Sequence, residues 1–191
     1  MKILFLFTDM VRANLLKTYN QEIKVKGPLD NFISELGGTL YTQCYTPAPD
    51  TPRSLACFNS GTYPEENGCN TRIKWPYYYY YSEFNIFESF LEDGYKVHYF
   101  ATKHKIDNGP LPKNVISKIN IYNKLSEIEN VIDNEKNSDV KSIYFLTLDD
   151  YHWTNDDYGH NSLGDYLGQK KLYNYLTNFF NNHNKDNFDY I

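Results

Sequence analysis

The chain has 191 residues, enough for one domain with a sizeable core, and a formal net charge of −5, which argues against a general nucleic-acid binder because that function calls for a basic face. Its three cysteines, Cys44, Cys57 and Cys69, are odd in number and lack metal-ligand spacing, so they read as free thiols in a reducing compartment. The apolar run Ile3–Phe7 is too short for a secretory signal and no stretch is long and apolar enough to span a membrane, so a cytoplasmic protein without membrane insertion is expected.

Lys2–Phe7 is a continuous apolar run and reads as a strand buried on both faces of a parallel sheet, ending at Asp9. Leu29, Phe32, Ile33 and Leu36 recur at helical spacing, and Gly37 closes that helix. Thr39–Tyr45 reads as a second strand. Asp50 and Thr51 are N-cap types and Pro52 suits a first turn, so 51–60 reads as a helix closed by Gly61 and Pro64. Asn85–Asp93 is helical, with Phe87, Phe90 and Leu91 on one face and Gly94 as its stop. Lys96–Ala101 favours extended structure through Val97, Tyr99 and Phe100. Ile106–Pro112 is a loop rich in breakers, and Ile116–Ile121 reads as another strand. Leu125–Asn134 is helical through Ile128, Val131 and Ile132. Ser142–Leu148 is the strongest strand, followed by Asp149-Asp150 and a polar loop. Gly168–Asn181 is helical, carrying Leu172, Tyr175, Leu176 and Phe179, and Asn187–Ile191 reads as the entry to one more strand. This alternation predicts a single α/β domain over 1–191, a sandwich of helices around a mainly parallel sheet, with no internal repeat or domain-scale linker.

In such a sheet reactive groups collect at the carboxyl ends of the strands. Asp9, Thr51, and the trio Asp149, Asp150 and His152 all fall there by local pattern. Thr51 places a hydroxyl at the positive end of a helix, a position that suits attack on an anionic centre. The bland reading of each is an ordinary cap or turn residue.

The surrounding text has a further pattern. Asp9 ends the first strand; Tyr41-Thr-Gln-Cys-Tyr-Thr-Pro-Ala-Pro49 precedes the Thr51 helix; Ser60-Gly-Thr-Tyr-Pro-Glu-Glu-Asn-Gly68 follows it. This order resembles the N-terminal half of the sulfatase-like branch of the alkaline phosphatase superfamily, over nearly the whole chain. The resemblance implies an alkaline phosphatase-like three-layer sandwich, incomplete at the C-terminus. It places Thr51 where a sulfatase carries a Cys or Ser that is oxidised to formylglycine. Threonine does not yield formylglycine, but it is the nucleophile in nucleotide pyrophosphatase and phosphoethanolamine transferase relatives. The implied chemistry is therefore phosphoryl-type, through a covalent intermediate on Thr51, with water as acceptor in a hydrolase and a hydroxyl in a transferase.

The same resemblance assigns Asp9 and Thr51 to a divalent metal. Sulfatases carry two consecutive aspartates where this chain has Asp9-Met10, and loss of the second carboxylate favours zinc or manganese over calcium. His152-Trp153 matches a substrate-binding His of the family and would give a proton to, or hydrogen-bond, the leaving oxygen. Asp156-Asp-Tyr-Gly-His160 spells Asp-x-x-Gly-His, a spacing with which nucleotide pyrophosphatases bind metal through both the Asp and the His, making Asp156 and His160 competing metal candidates. Arg53 and Lys103 are the candidates for holding substrate oxygens, ahead of Arg72 and Lys74. The family supplies further metal ligands after a later strand, whereas this chain stops at Phe188-Asp-Tyr-Ile191, so these residues alone are expected to turn over weakly or not at all.

The Thr-Pro-Arg-Ser and Thr71-Arg-Ile-Lys-Trp-Pro76 segments look most like sulfatase-like proteins of bacterial surface-polysaccharide clusters. The implied substrate is a small molecule or glycan bearing an anionic ester, of phosphoester, phosphodiester or phosphoramidate type. Two alternatives are hydrolysis of sulfate or phosphate esters, and a non-catalytic glycan-binding or scaffold fragment that uses Trp75 and Tyr77–Tyr81 as a stacking platform. A nucleotide-binding domain ranks last, because the chain has no Gly-x-Gly-x-x-Gly and no phosphate-loop motif.

Overall fold

A computed structural model describes residues 1–70, 84–102, 111–159 and 161–191. The chain divides into two compact units, each discontinuous in sequence. One comprises Met1–Leu6, Tyr45–Leu146 and Asp186–Ile191; the other comprises Phe7–Cys44 and Thr147–Lys185.

Four strands form one sheet: β1 (Lys2–Thr8), β2 (Lys96–Phe100), β3 (Asn120–Tyr122) and β4 (Ser142–Leu148), in the spatial order β1-β4-β2-β3. β2 runs parallel to β3, with Tyr99 opposite Ile121, and parallel to β4, with Tyr99 opposite Phe145. Ser142 N–H bonds to Met1 C=O and Asp9 N–H to Leu148 C=O, a pattern that makes β1 parallel to β4 as well. The fold is therefore α/β with an all-parallel sheet flanked by helices, the coarse architecture that strand-helix alternation predicts. Every residue of β4 is buried, as expected of a central strand. β1 ends the order and is only partly buried, so the expectation of burial on both faces is corrected: its run of apolar residues lies at the margin of the described sheet. Tyr190 makes a parallel bridge to Ile3, where a further strand was expected to enter.

In the first unit, α2 (Thr51–Ser60), the short α3 (Pro64–Asn67), α4 (Ile86–Glu92), α5 (Lys113–Ile116) and α6 (Leu125–Glu135) accompany the strands. Phe145 on β4 sits at the middle of its core and is 1% exposed. Its ring lies 5.9 Å from Phe5, 5.6 Å from Phe58, 5.5 Å from Phe87 and 5.2 Å from Tyr99, the last stacked nearly parallel. A polar cluster is built beside this core. His98 on β2 is stacked between the rings of Tyr122 and Tyr144, with Nδ1 3.0 Å from the Tyr122 hydroxyl and Nε2 3.4 Å from Glu135. Glu135, at the end of α6, accepts hydrogen bonds from Ser142 Oγ (2.6 Å), the Tyr144 hydroxyl (2.9 Å) and Lys96 Nζ (3.2 Å). Burial pushes the His98 imidazole below its ordinary value. Burial pushes Glu135 up, but the bonds from Ser142 and Tyr144 and the nearby His98 and Lys96 outweigh it and hold the carboxyl below its ordinary value.

In the second unit, α1 (Pro28–Leu36), α7 (Asp150–Tyr158) and α8 (Ser162–Asn182) pack together. Phe32 of α1 meets Phe180 of α8 at 5.9 Å, and Leu29, Leu172, Leu176 and Phe179 are buried. Asp30 closes the loop before α1: Oδ1 accepts from the backbone and hydroxyl of Thr18, both at 2.7 Å, and Oδ2 accepts from Gly27 N–H at 2.8 Å. Gly27, Gly164 and Gly168 are places of close approach. A Cβ on Gly168 would lie 2.9 Å from the Tyr151 ring, and one on Gly164 would lie 2.1 Å from the Gly159 carbonyl oxygen.

Three expectations are corrected here. Residues 39–45 form no strand; from Leu40 to Thr46 the side chains are exposed, so their extended-chain preference finds no face to bury. The loop expected after β4 is the helix α7, which carries no apolar stripe at helical spacing and is held instead by Tyr151 and Asn155, both buried. Part of the strand expected over Ile116–Ile121 is helical, because α5 runs to Ile116 and β3 begins only at Asn120.

Candidate functional site

Thr51 is the first residue of α2. Asp50 caps the helix from an extended conformation, accepting from Arg53 N–H at 3.2 Å, and Pro52 lies in the first turn, where its missing N–H costs nothing. Gly61, at φ 69°, ends the helix with its N–H on Cys57 C=O at 2.8 Å. Ten residues of aligned peptide dipoles thus terminate at the Thr51 turn. Thr46 and Ser54 stitch the preceding segment to that turn, their hydroxyls 2.6 Å apart and both bonded to Ala48 C=O. The Arg53 guanidinium folds back onto Asp50, with Nε 2.6 Å from Oδ2 and Nη2 also in contact. Its charge is matched within the first turn, so a substrate anion would share Arg53 with Asp50.

The far end of α2 is locked by Asn67, which is fully buried. Its amide nitrogen donates to Ser60 Oγ at 3.1 Å and to Thr62 C=O at 3.3 Å, and its oxygen accepts from Cys69 N–H at 2.9 Å. Burial, with Cys57 nearby, pushes the Cys69 thiol up to about 12, and burial raises Cys57 too. Both are protonated thiols at neutral pH and therefore poor nucleophiles. Cys44 is exposed, whereas Cys57 and Cys69 are buried.

The second unit holds the carboxylates. Asp9 directly follows β1 and Asp149 directly follows β4. The bond from Asp9 N–H to Leu148 C=O (3.0 Å) sets them across from one another at the carboxyl ends of neighbouring parallel strands, and each is only 7% exposed. Met10, next to Asp9, has φ 61°, the only non-glycine residue among those described with positive φ. Such a conformation persists where surrounding contacts over-determine it, and it clusters at functional sites. Asp149 opens α7, with Trp153 N–H on its C=O at 3.1 Å.

His152 and Asp156 are one turn apart on α7, with His152 Nδ1 3.1 Å from Asp156 Oδ2. The alignment is poor for a hydrogen bond, and Nδ1 has no well-aligned partner. The ring of Trp153, half exposed, meets the His152 ring edge-on at 5.2 Å. The helix therefore joins two residues that sequence spacing had given to competing roles, substrate contact and metal binding. Behind them Asp165 of α8 accepts from Arg12 Nη2 through both oxygens, at 3.1 Å each, and from the Tyr151 hydroxyl at 2.8 Å. Asp150 pairs with Lys171 at 3.0 Å. Neither Asp165 nor Arg12 was expected from sequence; the one available signal is a carboxylate in the first turn of an Asn161-capped helix.

Arg72, Lys74, Trp75, Tyr77–Tyr81, Lys103 and His160 lie outside the described residues. Among the described residues no group of three His, Cys, Asp or Glu side chains is gathered as a metal cage. The carboxylates of Asp9 and Asp149 could contribute to holding a divalent cation, and such hard oxygen ligands suit manganese better than zinc. No helix among the described residues is long and apolar enough to cross a membrane.

The fold and these residues define an α/β protein with buried carboxylates at adjacent strand ends. Compared with protein-family models, curated proteins and solved structures, the chain matches none.

Proposed function

We propose that the chain is built for metal-dependent hydrolysis or transfer of a phosphorus-containing group, of phosphoester, phosphodiester or phosphoramidate type, on a sugar of a bacterial surface polysaccharide. The reading rests on the family resemblance of the Asp9, Thr51 and His152 segments. The structural observation that carries it furthest is the buried pair Asp9 and Asp149 at neighbouring strand ends, beside the left-handed Met10. Thr51, heading α2, is the nucleophile. Its Oγ forms a bond to phosphorus as the bond from phosphorus to the leaving atom breaks, and the leaving atom takes the electron pair. The hydroxyl proton goes to solvent, and His152 supplies one to the leaving atom. The first turn of α2 and Arg53 stabilise charge on the phosphoryl oxygens. Water or a sugar hydroxyl then releases Thr51. Asp9 and Asp149 would hold the cation, which when bound supplies positive charge for the anionic oxygens.

The test is intact-mass spectrometry after incubation with manganese(II) and an activated phosphodiester, bis(p-nitrophenyl) phosphate. A phosphoryl adduct mapping to Thr51, absent from Thr51→Ala, is expected. An adduct that persists in Thr51→Ala, or no adduct on the unaltered chain, refutes the assignment.

A further inference from the structure

Asp165 collects three hydrogen bonds on one carboxylate, and their sources are informative. Arg12 lies three residues beyond Asp9, in the segment that leaves β1. Tyr151 lies two residues beyond Asp149, in the segment that leaves β4. A single side chain on α8 thus ties down both strand-end segments. The tie is rigid. Tyr151 is 1% exposed and Asp165 is 8% exposed. Gly168 packs against the Tyr151 ring so closely that a Cβ would meet it at 2.9 Å, and Gly164 abuts the Gly159 carbonyl. The bond to Arg12 is charge-assisted and engages both carboxylate oxygens. The segment between Asp9 and Arg12 contains Met10, whose positive φ is a conformation that its surroundings must enforce. It is held at one end by the bond from Asp9 N–H to β4 and at the other by Asp165.

We propose that Asp165 is a positioning residue that fixes the spacing of Asp9 and Asp149 for a shared divalent cation, by gripping the segments after β1 and β4 together. The inference rests on the metal-site reading above and adds the residue that governs it. Groups that orient metal ligands without touching the ion change affinity by roughly 10- to 100-fold when removed. A general structural anchor would change stability and leave affinity alone.

The experiment measures manganese(II) binding to the whole chain by the loss of the free-ion electron paramagnetic resonance signal. The unaltered chain is expected to bind and Asp9→Asn to lose binding. Asp165→Asn is expected to weaken binding by about 10- to 100-fold. Tyr151→Phe, which removes one hydroxyl and keeps the ring, is the second variant should Asp165→Asn not fold, and it is expected to weaken binding several-fold. Asp30→Asn, at a buried carboxylate of the same unit, serves as control: it lowers stability and leaves affinity unchanged. Binding by folded Asp165→Asn or Tyr151→Phe equal to that of the unaltered chain overturns the positioning role alone. An equal loss in Asp30→Asn also overturns it. No binding by the unaltered chain overturns the metal-site reading and the positioning role together.

Discussion

Replacing Phe145 with alanine removes the ring around which the first unit is assembled. Four aromatic rings from β1, α2, α4 and β2 surround it at 5.2–5.9 Å, and almost none of it reaches solvent. Fully burying a phenylalanine contributes about 1.5–3 kcal/mol of transfer free energy. The vacated space adds to this, because rigid rings on four sides cannot collapse into it, and Phe→Ala changes in cores cost about 3–5 kcal/mol. The expected loss is near the top of that range, about 4–5 kcal/mol. Phe58 supplies the internal comparison. It touches Phe5 and Phe145 itself but is 40% exposed, so Phe58→Ala is expected to cost about 1–2 kcal/mol. Urea unfolding followed by circular dichroism reads the difference. With a slope of about 2 kcal/mol per molar, Phe145→Ala lowers the midpoint by roughly 2 M and leaves the slope unchanged. A shift no larger than that of Phe58→Ala would show that the ring cluster is not the centre of the core.

Stability should fall as the solution is acidified. The folded-state pKa of His98 lies below the ordinary 6.5, so on descending through 6.5 the unfolded chain takes up its proton first and folding weakens; Glu135, held below 4.5, adds a second loss at more acid pH. His98→Gln should flatten the urea-midpoint profile between pH 7.5 and 5.5, and an unchanged slope in that window would count against the assignment. Among the thiols, Cys44 should react with an aromatic disulfide reagent in the native protein. Cys57 and Cys69 should react only after denaturation, and native-state labelling of Cys69 would contradict its burial.

Elements with unambiguous local signals were legible in the sequence. Ser142–Leu148 is a mostly apolar run rich in strand-forming residues and followed by Asp149-Asp150, and Thr51–Ser60 is bracketed by Asp50, Pro52 and Gly61; both have the bounds that those signals imply. Where long-range packing decides, sequence patterns misled. Gly168 opens the helix predicted from sequence, yet α8 begins at Ser162 and holds Gly164 and Gly168 in its interior, where only a bare Cα fits against Gly159 and Tyr151. α7 escaped notice because its anchors, Tyr151 and Asn155, are an aromatic and an amide rather than a stripe of aliphatics. The candidate site divides the same way. Asp9 and Asp149 announce themselves as the first residues after strongly apolar strands, whereas Asp165 meets Arg12 across 153 positions, a separation that no local spacing can signal.

The Asp30 carboxylate has a practical corollary. Because it grips Thr18 and Gly27 at once, the residues between them form a ring with a sealed neck, and Val25 within it is 77% exposed. Lengthening such a ring costs only about 0.6 kcal/mol for each doubling of its contour. Residues 20–25 are therefore the natural port for a grafted epitope or fluorophore tag, one that leaves α1 and the helices packed on it undisturbed.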